Sequence, residues 1–475
     1  MPTELRGAPT PAPAPPAAAR WRRAVAPLAR HRAFTVAIAL AAALRVVTML
    51  GYPPARLYWY DSFTYLDNAV HLQPSATFHP IGYPLLLRAL LPFHSVTVVV
   101  AVQHAMGLAT GLIGYALVRR RGLPAWVGVL AAVPVLFDAS FLRLEHAVLS
   151  DALFILLVVS AVAVLGWRER PSTRAALAAG LLLAGAALTR TIGLPLLVLV
   201  LLVLALRRVS WRPLAALALA GALPLAGYAA WYGSVHGRVA LSGADGVALW
   251  ARTMTFADCA VVQPPPELAP LCPNGAVQDA ASEYVWDPKA SINLLPGGRF
   301  AHNEQARQFA LRAIAAQPLD YLRDVLADTS IAFHWTPVAH PARTVPAFGF
   351  AHGTWPLPDQ PLVAEVRRTY DSDITAMRSV GPWADVLIAY QYLAYLRGPV
   401  LAAILLLGAV GAVRRPGRAA LPWVVAVGLL VGPVAALDFD HRYVLPVVPV
   451  ACIAAALAVR PREVQSAGSD RTCRR

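Results

Sequence analysis

The chain has 475 residues, 57% of them hydrophobic and only 14% charged, with a formal net charge of +15. Ordinary soluble domains carry roughly 25% charged residues, so this balance excludes a conventional soluble enzyme and points to a lipid bilayer as the solvent. The positive charge sits in short arginine clusters at the ends of apolar runs, with Lys289 the only lysine; that is the pattern of membrane orientation rather than of nucleic-acid binding.

Residues 1–33 are rich in Pro and Ala, lack an apolar core and read as a disordered tail rather than a cleavable signal. A spanning helix needs about 20 apolar residues. On that rule spans are expected over 34–51, 95–118, 124–138, 147–167, 174–189, 191–206, 213–232, 384–413, 420–437 and 443–459, about ten in all. The run 384–413 is long enough to begin as an interfacial helix. Between 34–51 and 95–118 lies a loop, 52–94, in which residues 61–72 carry Phe63, Leu66 and Val70 at helical spacing. That spacing predicts an amphipathic helix lying on the membrane. His79-Pro80-Ile81-Gly82-Tyr83-Pro84 breaks it.

Sidedness follows from the arginines. Arg20, Arg22, Arg23, Arg30 and Arg32, then Arg119 to Arg121, then Arg168, Arg170 and Arg174, then Arg207, Arg208 and Arg212, then Arg414, Arg415 and Arg418, then Arg460 and Arg462 mark every second loop. The positive-inside rule makes these cytoplasmic, together with both termini, in a multi-pass protein of the cell membrane. The alternate segments face outward. The division is a tail (1–33), a membrane module (34–232) with its first loop (52–94), an extracytoplasmic loop domain (233–383), final spans (384–459) and a cytoplasmic tail (460–475). The long segment 233–383 is expected to be a small helix-and-loop domain, helical over residues 303–335. Oxidising conditions outside the cell permit a disulfide between its Cys259 and Cys272. Cys452, in an apolar run, reads as a small core residue, and Cys473 lies in the basic tail.

The outward segments hold the residues that can carry chemistry. Asp61 follows Tyr58-Trp59-Tyr60 and reads either as a helix N-cap or as a general base at the membrane surface. Asp138, Glu145, His146 and Asp151 flank the start of one span. They form a structural network with Arg143 or Arg190, or they border a polar cavity. Arg190, between two apolar runs, needs a carboxylate partner or an anion such as a lipid phosphate. Asp438, Asp440, His441, Arg442 and Tyr443 open the last span, with Arg442 placed to hold a phosphate. No zinc-type Cys/His spacing is present. Asp61, His79, Glu145, Asp151, Arg190, Asp440 and Arg442 all fall on one membrane face, whereas Arg45, Gln103 and His104 are the few midplane polar groups. A transporter would concentrate its polar groups at the midplane.

The acidic first loop with its His-Pro-rich return, LEHAVLSDALF, LTRTIGLPLL and the ending DFDHRYVLPVVPV together resemble the GT-C membrane glycosyltransferases. The nearest group is that of the protein O-mannosyltransferases and lipid A aminoarabinose transferases. The resemblance implies an all-α polytopic bundle of about ten helices with an interfacial first loop and a small extracytoplasmic domain. It also implies inverting transfer of a sugar from a polyprenyl-phosphate donor to a protein, glycan or lipid acceptor outside the cell. By position, Asp61 would be the base, Arg190 and Arg442 would bind the donor phosphate, and Glu145 and Asp151 would shape the sugar or acceptor pocket. His79, Tyr83, Asp440 and Tyr443 complete the expected substrate site. Many relatives carry two adjacent acids in the first loop; here Asp61 is followed by Ser62, which departs from any metal-bridged version of the site. No cofactor is called for with certainty, and a divalent metal is left open. The alternatives are a transporter or flippase of a lipid-linked saccharide and a non-catalytic membrane assembly protein.

Overall fold

The computed structural model describes residues 31–342 and 349–459. The tail expected over 460–475, and that over 1–33 apart from its last residues, lie outside the described residues. Within them the protein is an all-α polytopic membrane protein. Its only paired strands are the two-residue segments Thr354–Trp355 and Met377–Arg378 among the described residues.

The membrane module runs through α1 (Arg32–Gly51), α2 (Trp59–His71), α3 (Gly82–Leu90), α4 (Val96–Arg120), α5 (Ala125–Phe137), α6 (Ala139–Glu145), α7 (Asp151–Gly166), α8 (Thr173–Thr189), α9 (Gly193–Leu206) and α10 (Trp211–His236). The final helices are α16 (Gly398–Arg414), α17 (Pro416–Ala436) and α18 (Val447–Ala458), the last preceded by the short turn His441–Val444. Five of the described helices are long and apolar enough to cross a bilayer, the bent pair α5–α6 is a sixth candidate, and α7, α8, α9 and α16 are shorter apolar helices. Those four, of 14 to 17 residues, are only about 21–26 Å long at 1.5 Å per residue.

The expected span 124–138 is α5, and at its end the chain turns by 56° into α6. Asp138 makes the corner: its carboxylate accepts from Ser140 N at 2.7 Å and from Leu396 N at 2.8 Å. Leu396 lies in a second break, since the run 384–413 divides into α15 (Trp383–Gln391) and α16 around residues 392–397. One buried carboxylate thus satisfies backbone donors that two interrupted helices leave open, as membrane depth requires.

Between the membrane modules, α11 (Asp245–Thr253), α12 (Asn303–Ala316), α13 (Pro318–Ser330) and α14 (Pro361–Thr369) are the longer helices of the loop domain. The stretch expected to be helical over 303–335 is two helices, broken at Gln317-Pro318, where proline starts the second. Val247, Trp250, Leu271, Ile292, Phe309 and Ala313 belong to a separate small core. Val325, Ala332, Val366 and Tyr370 join the main core of the bundle. Cys259 and Cys272 are joined by a disulfide, and Cys452 is a buried free thiol.

The arginine-rich turns gather at one end of the bundle. Glu169 lies 4.0 Å from Arg121 and 3.4 Å from Arg418, and Arg207 donates to the carbonyls of Glu169 and Gly417.

Candidate active site

Asp61 lies in the first turn of α2. Local backbone pairing places it there. Arg56 N donates to the His146 carbonyl and Val148 N to the Arg56 carbonyl, each at 3.0 Å. Ser62 then accepts from Tyr58 N at 2.7 Å and donates to the Val148 carbonyl at 2.8 Å. Ser62 is fully buried in that linkage, so it joins α2 to the turn before α7.

The N-cap of α2 is Tyr58, and no side chain caps the helix. Asp61 faces inward instead, to His79 Nε2 at 3.3 Å and Arg442 Nη1 at 3.5 Å. Burial works to raise its pKa, but the His79 hydrogen bond and the charges of His79 and Arg442 outweigh it and hold the carboxyl well below the usual range. Tyr65, one helical turn after Asp61, meets the His79 ring edge-on at 4.6 Å and hydrogen-bonds Ser150 Oγ at 3.1 Å.

His79 reaches Asp61 because the segment His79–Gly82 can close on the end of α8. A Cβ on Gly82 would lie 2.6 Å from the Leu188 carbonyl carbon, so only glycine permits this approach. The same end of α8 carries Arg190, which pairs with the buried Asp151, the first residue of α7. The second carboxylate oxygen of Asp151 is buried with no hydrogen-bond partner.

The last span supplies the other half. Asp440 caps the turn His441–Val444 by accepting from Arg442 N at 2.9 Å, and its other oxygen lies 3.1 Å from Arg442 Nε. The Arg442 guanidinium stands over the rings of Tyr58, at 5.4 Å, and Tyr443, at 5.3 Å. Arg190 stands over the same Tyr443 ring at 5.0 Å. Tyr443 therefore links two guanidiniums, each also facing a carboxylate. Burial pushes the Tyr58 hydroxyl up to about 12, so it remains a neutral donor and acceptor.

Asp61, His79, Asp151, Arg190, Asp440, Arg442 and Tyr443 thus meet in one cluster. Tyr83 and Glu145 lie in an adjoining network. Glu145 is paired with Arg45 Nη2 at 2.8 Å and His104 Nδ1 at 2.9 Å. Arg143 and Arg190 do not take that role: Arg143 stands over the Phe350 ring. Gln103 donates to the carbonyls of Glu145 and Ala147 and accepts from the Tyr83 hydroxyl at 2.5 Å. His104 Nε2 lies 3.3 Å from His146 Nδ1, and His146 Nε2 donates to the Tyr52 carbonyl at 2.7 Å. Arg45, Gln103 and His104 are therefore internal supports of the turn over residues 145–148, with which Arg56 pairs. Sequence reasoning missed Tyr65, although its position four residues after Asp61 puts it on the same helix face.

Beside Tyr58 and Asp440 opens a pocket whose wall includes Leu396, Leu401, Val444, Leu445 and Val448. Its lining also includes Asp138, Ser140, His340 and His441, so polar and apolar groups share the cleft.

No family model and no curated protein matches the sequence. Among solved structures, the chain is similar to the Saccharomyces cerevisiae protein O-mannosyltransferase Pmt1–Pmt2 complex bound to the sugar donor. That match has 16% identity and a TM-score of 0.34, and covers 52% of this chain and 37% of the other. The chain is also similar to ArnT from Cupriavidus metallidurans bound to undecaprenyl phosphate, at 13% identity and a TM-score of 0.34, over 90% of this chain and 76% of the other. These are loose likenesses of outline.

Proposed function

We propose that this protein is an integral-membrane glycosyltransferase. It takes a sugar from a polyprenyl-phosphate carrier and passes it, with inversion, to a hydroxyl acceptor outside the cell. The observation that carries the reading is the Asp61–Arg442 contact. A carboxylate and a guanidinium lie within 3.5 Å of each other, with a second guanidinium across Tyr443.

The chemistry follows from these groups. The acceptor oxygen attacks the anomeric carbon, and the bond to the phosphate oxygen breaks with its electron pair leaving on the phosphate. Asp61 takes the acceptor proton. In the resting site Arg442 is held by Asp61 and Asp440, and so Asp61 is a weak base. A lipid phosphate that draws Arg442 away withdraws a positive charge from Asp61 and makes it more basic as the donor arrives. His79 holds the carboxylate in place, and Arg190 adds charge for the leaving phosphate. The unpartnered oxygen of Asp151 is an acceptor for a sugar hydroxyl, and the apolar wall suits the carrier chain.

A lipid-linked-saccharide transporter finds less support. The buried network that could serve one, Arg45, Glu145 and His104, is at most 4% exposed and internally paired. The deciding experiment incubates purified protein with a labelled polyprenyl-phosphate sugar and an acceptor mixture from the cell envelope. Wild type releases polyprenyl phosphate with label in the acceptor, and Asp61→Asn does not. Equal turnover by both would remove Asp61 from the mechanism.

A further inference from the structure

Away from this site, three residues remote in sequence meet where the loop domain borders the bundle. Asp328 lies near the end of α13, His340 on the loop that follows, and Asp438 between α17 and the last span. Each offers one ligand atom, and the three atoms lie within 4.8 Å of one another. His340 Nε2 is 2.9 Å from Asp438 Oδ1.

Both carboxylates are oriented from behind. Asp438 Oδ2 accepts from Ser282 N at 3.0 Å and Ser282 Oγ at 2.7 Å, while Oδ1 accepts from Phe439 N at 2.7 Å and faces His340 Nε2. Asp328 Oδ2 accepts from the fully buried Arg252 at 2.5 Å, which leaves its other oxygen available. Outer partners that fix a ligand's free oxygen or nitrogen are the usual support of a metal site.

The charge balance points the same way. Arg252 pairs with both Asp324 and Asp328. With Asp438 there are three carboxylates around one guanidinium, a deficit of two positive charges when His340 is neutral. The cluster is a place that seeks a cation.

We propose that Asp328, His340 and Asp438 bind a divalent cation of the zinc class. One imidazole nitrogen favours a first-row transition ion over calcium or magnesium, and two carboxylates supply the charge. Zinc bonds of about 2.0–2.2 Å place tetrahedral ligands roughly 3.4 Å apart, a spacing these side chains reach by small rotations. Asp438 precedes Asp440 and Arg442 directly, so an ion here pins the segment that presents them. The site goes beyond the transfer reading, and its test needs no turnover.

The experiment uses untagged full-length protein in detergent, stripped with EDTA and titrated with zinc chloride by calorimetry, with thermal unfolding followed in parallel. Wild type is expected to bind one equivalent and to unfold at a higher temperature with zinc. His340→Ala and Asp438→Asn should weaken binding by about tenfold or more, and the exposed-site control His302→Ala should not. Asp328→Asn, which retains side-chain shape beside Arg252, covers the case in which another variant fails to fold. No saturable zinc binding by wild type, or equal binding in the folded variants, overturns the proposal. Loss of transfer in Asp61→Asn with zinc binding intact separates this site from the reaction.

Discussion

The two ends of the helix bundle use arginine in opposite ways. At one end Arg121, Arg207 and Arg418 surround Glu169; Arg121 is 7% exposed, but the carboxylate it faces is 76% exposed. Pairs with a solvated carboxylate contribute about 0–1 kcal/mol each. At the other end Arg190 and Arg442 are 18% and 15% exposed, among carboxylates and tyrosines. Taking a guanidinium from water costs several kcal/mol unless partners replace the solvent, and here the carboxylates of Asp151, Asp61 and Asp440 do so. On the proposed reading a lipid phosphate competes for these guanidiniums, whereas those around Glu169 only pair with it.

The sharpest way to break this comparison is Asp61→Asn. A positioned base contributes about 10²- to 10⁴-fold, and transfer should fall by that range while detergent-purified protein keeps its helicity. Activity near wild type would make the acid end as inert as the other.

Next in size are the buried supports. Arg45→Ala removes the guanidinium from Glu145, which at 2% exposure keeps the His104 ring as a partner; breaking this buried pair should cost roughly 3–5 kcal/mol, read as a lowered thermal midpoint. Gly107→Ala should also destabilise, because its Cβ would fall 1.7 Å from Glu145 Oε1. Reduction of Cys259–Cys272 should cost the loop domain about 3 kcal/mol by loop entropy, seen as earlier proteolysis of that domain.

A pH profile sharpens the electrostatics. The Asp61 pKa is lowered in the folded protein. The favourable energy of its ionised form is therefore present above the ordinary carboxylate value of about 3.9 and is lost as pH falls through the lower folded value. The acid limb of kcat/KM, which reports the free enzyme, should lie below that ordinary value. Arg442→Gln should move the limb upward, since it removes a charge that favours the ionised form. An unmoved limb would mean the two groups are not coupled. The smallest effect belongs to the other end, where Glu169→Gln should change neither turnover nor thermal midpoint measurably.

Much of this architecture was legible because it is local. The apolar runs marked the spanning helices, the spacing of Phe63, Leu66 and Val70 marked α2, and Gly82 sat in the segment that must break it. The candidate cluster was legible as a shared face, since alternating arginine-rich loops leave Asp61, Arg190 and Arg442 together. Pairing was not. Glu145 finds Arg45 across 100 positions, and Asp438 finds His340 across 98. Nothing in local pattern distinguishes such partners from other buried polar residues. The breaks at Asp138 and around residues 392–397 were hidden for the same reason, because one side chain supplies the missing acceptors for both.

The most direct test of the central claim is a double-mutant cycle between Asp61→Asn and Arg442→Gln, read as release of polyprenyl phosphate from a labelled lipid-phosphate sugar. If the carboxylate and the guanidinium serve one reaction centre, the double variant loses little more than the worse single one. Losses that multiply would place the two residues in separate roles and contradict the account.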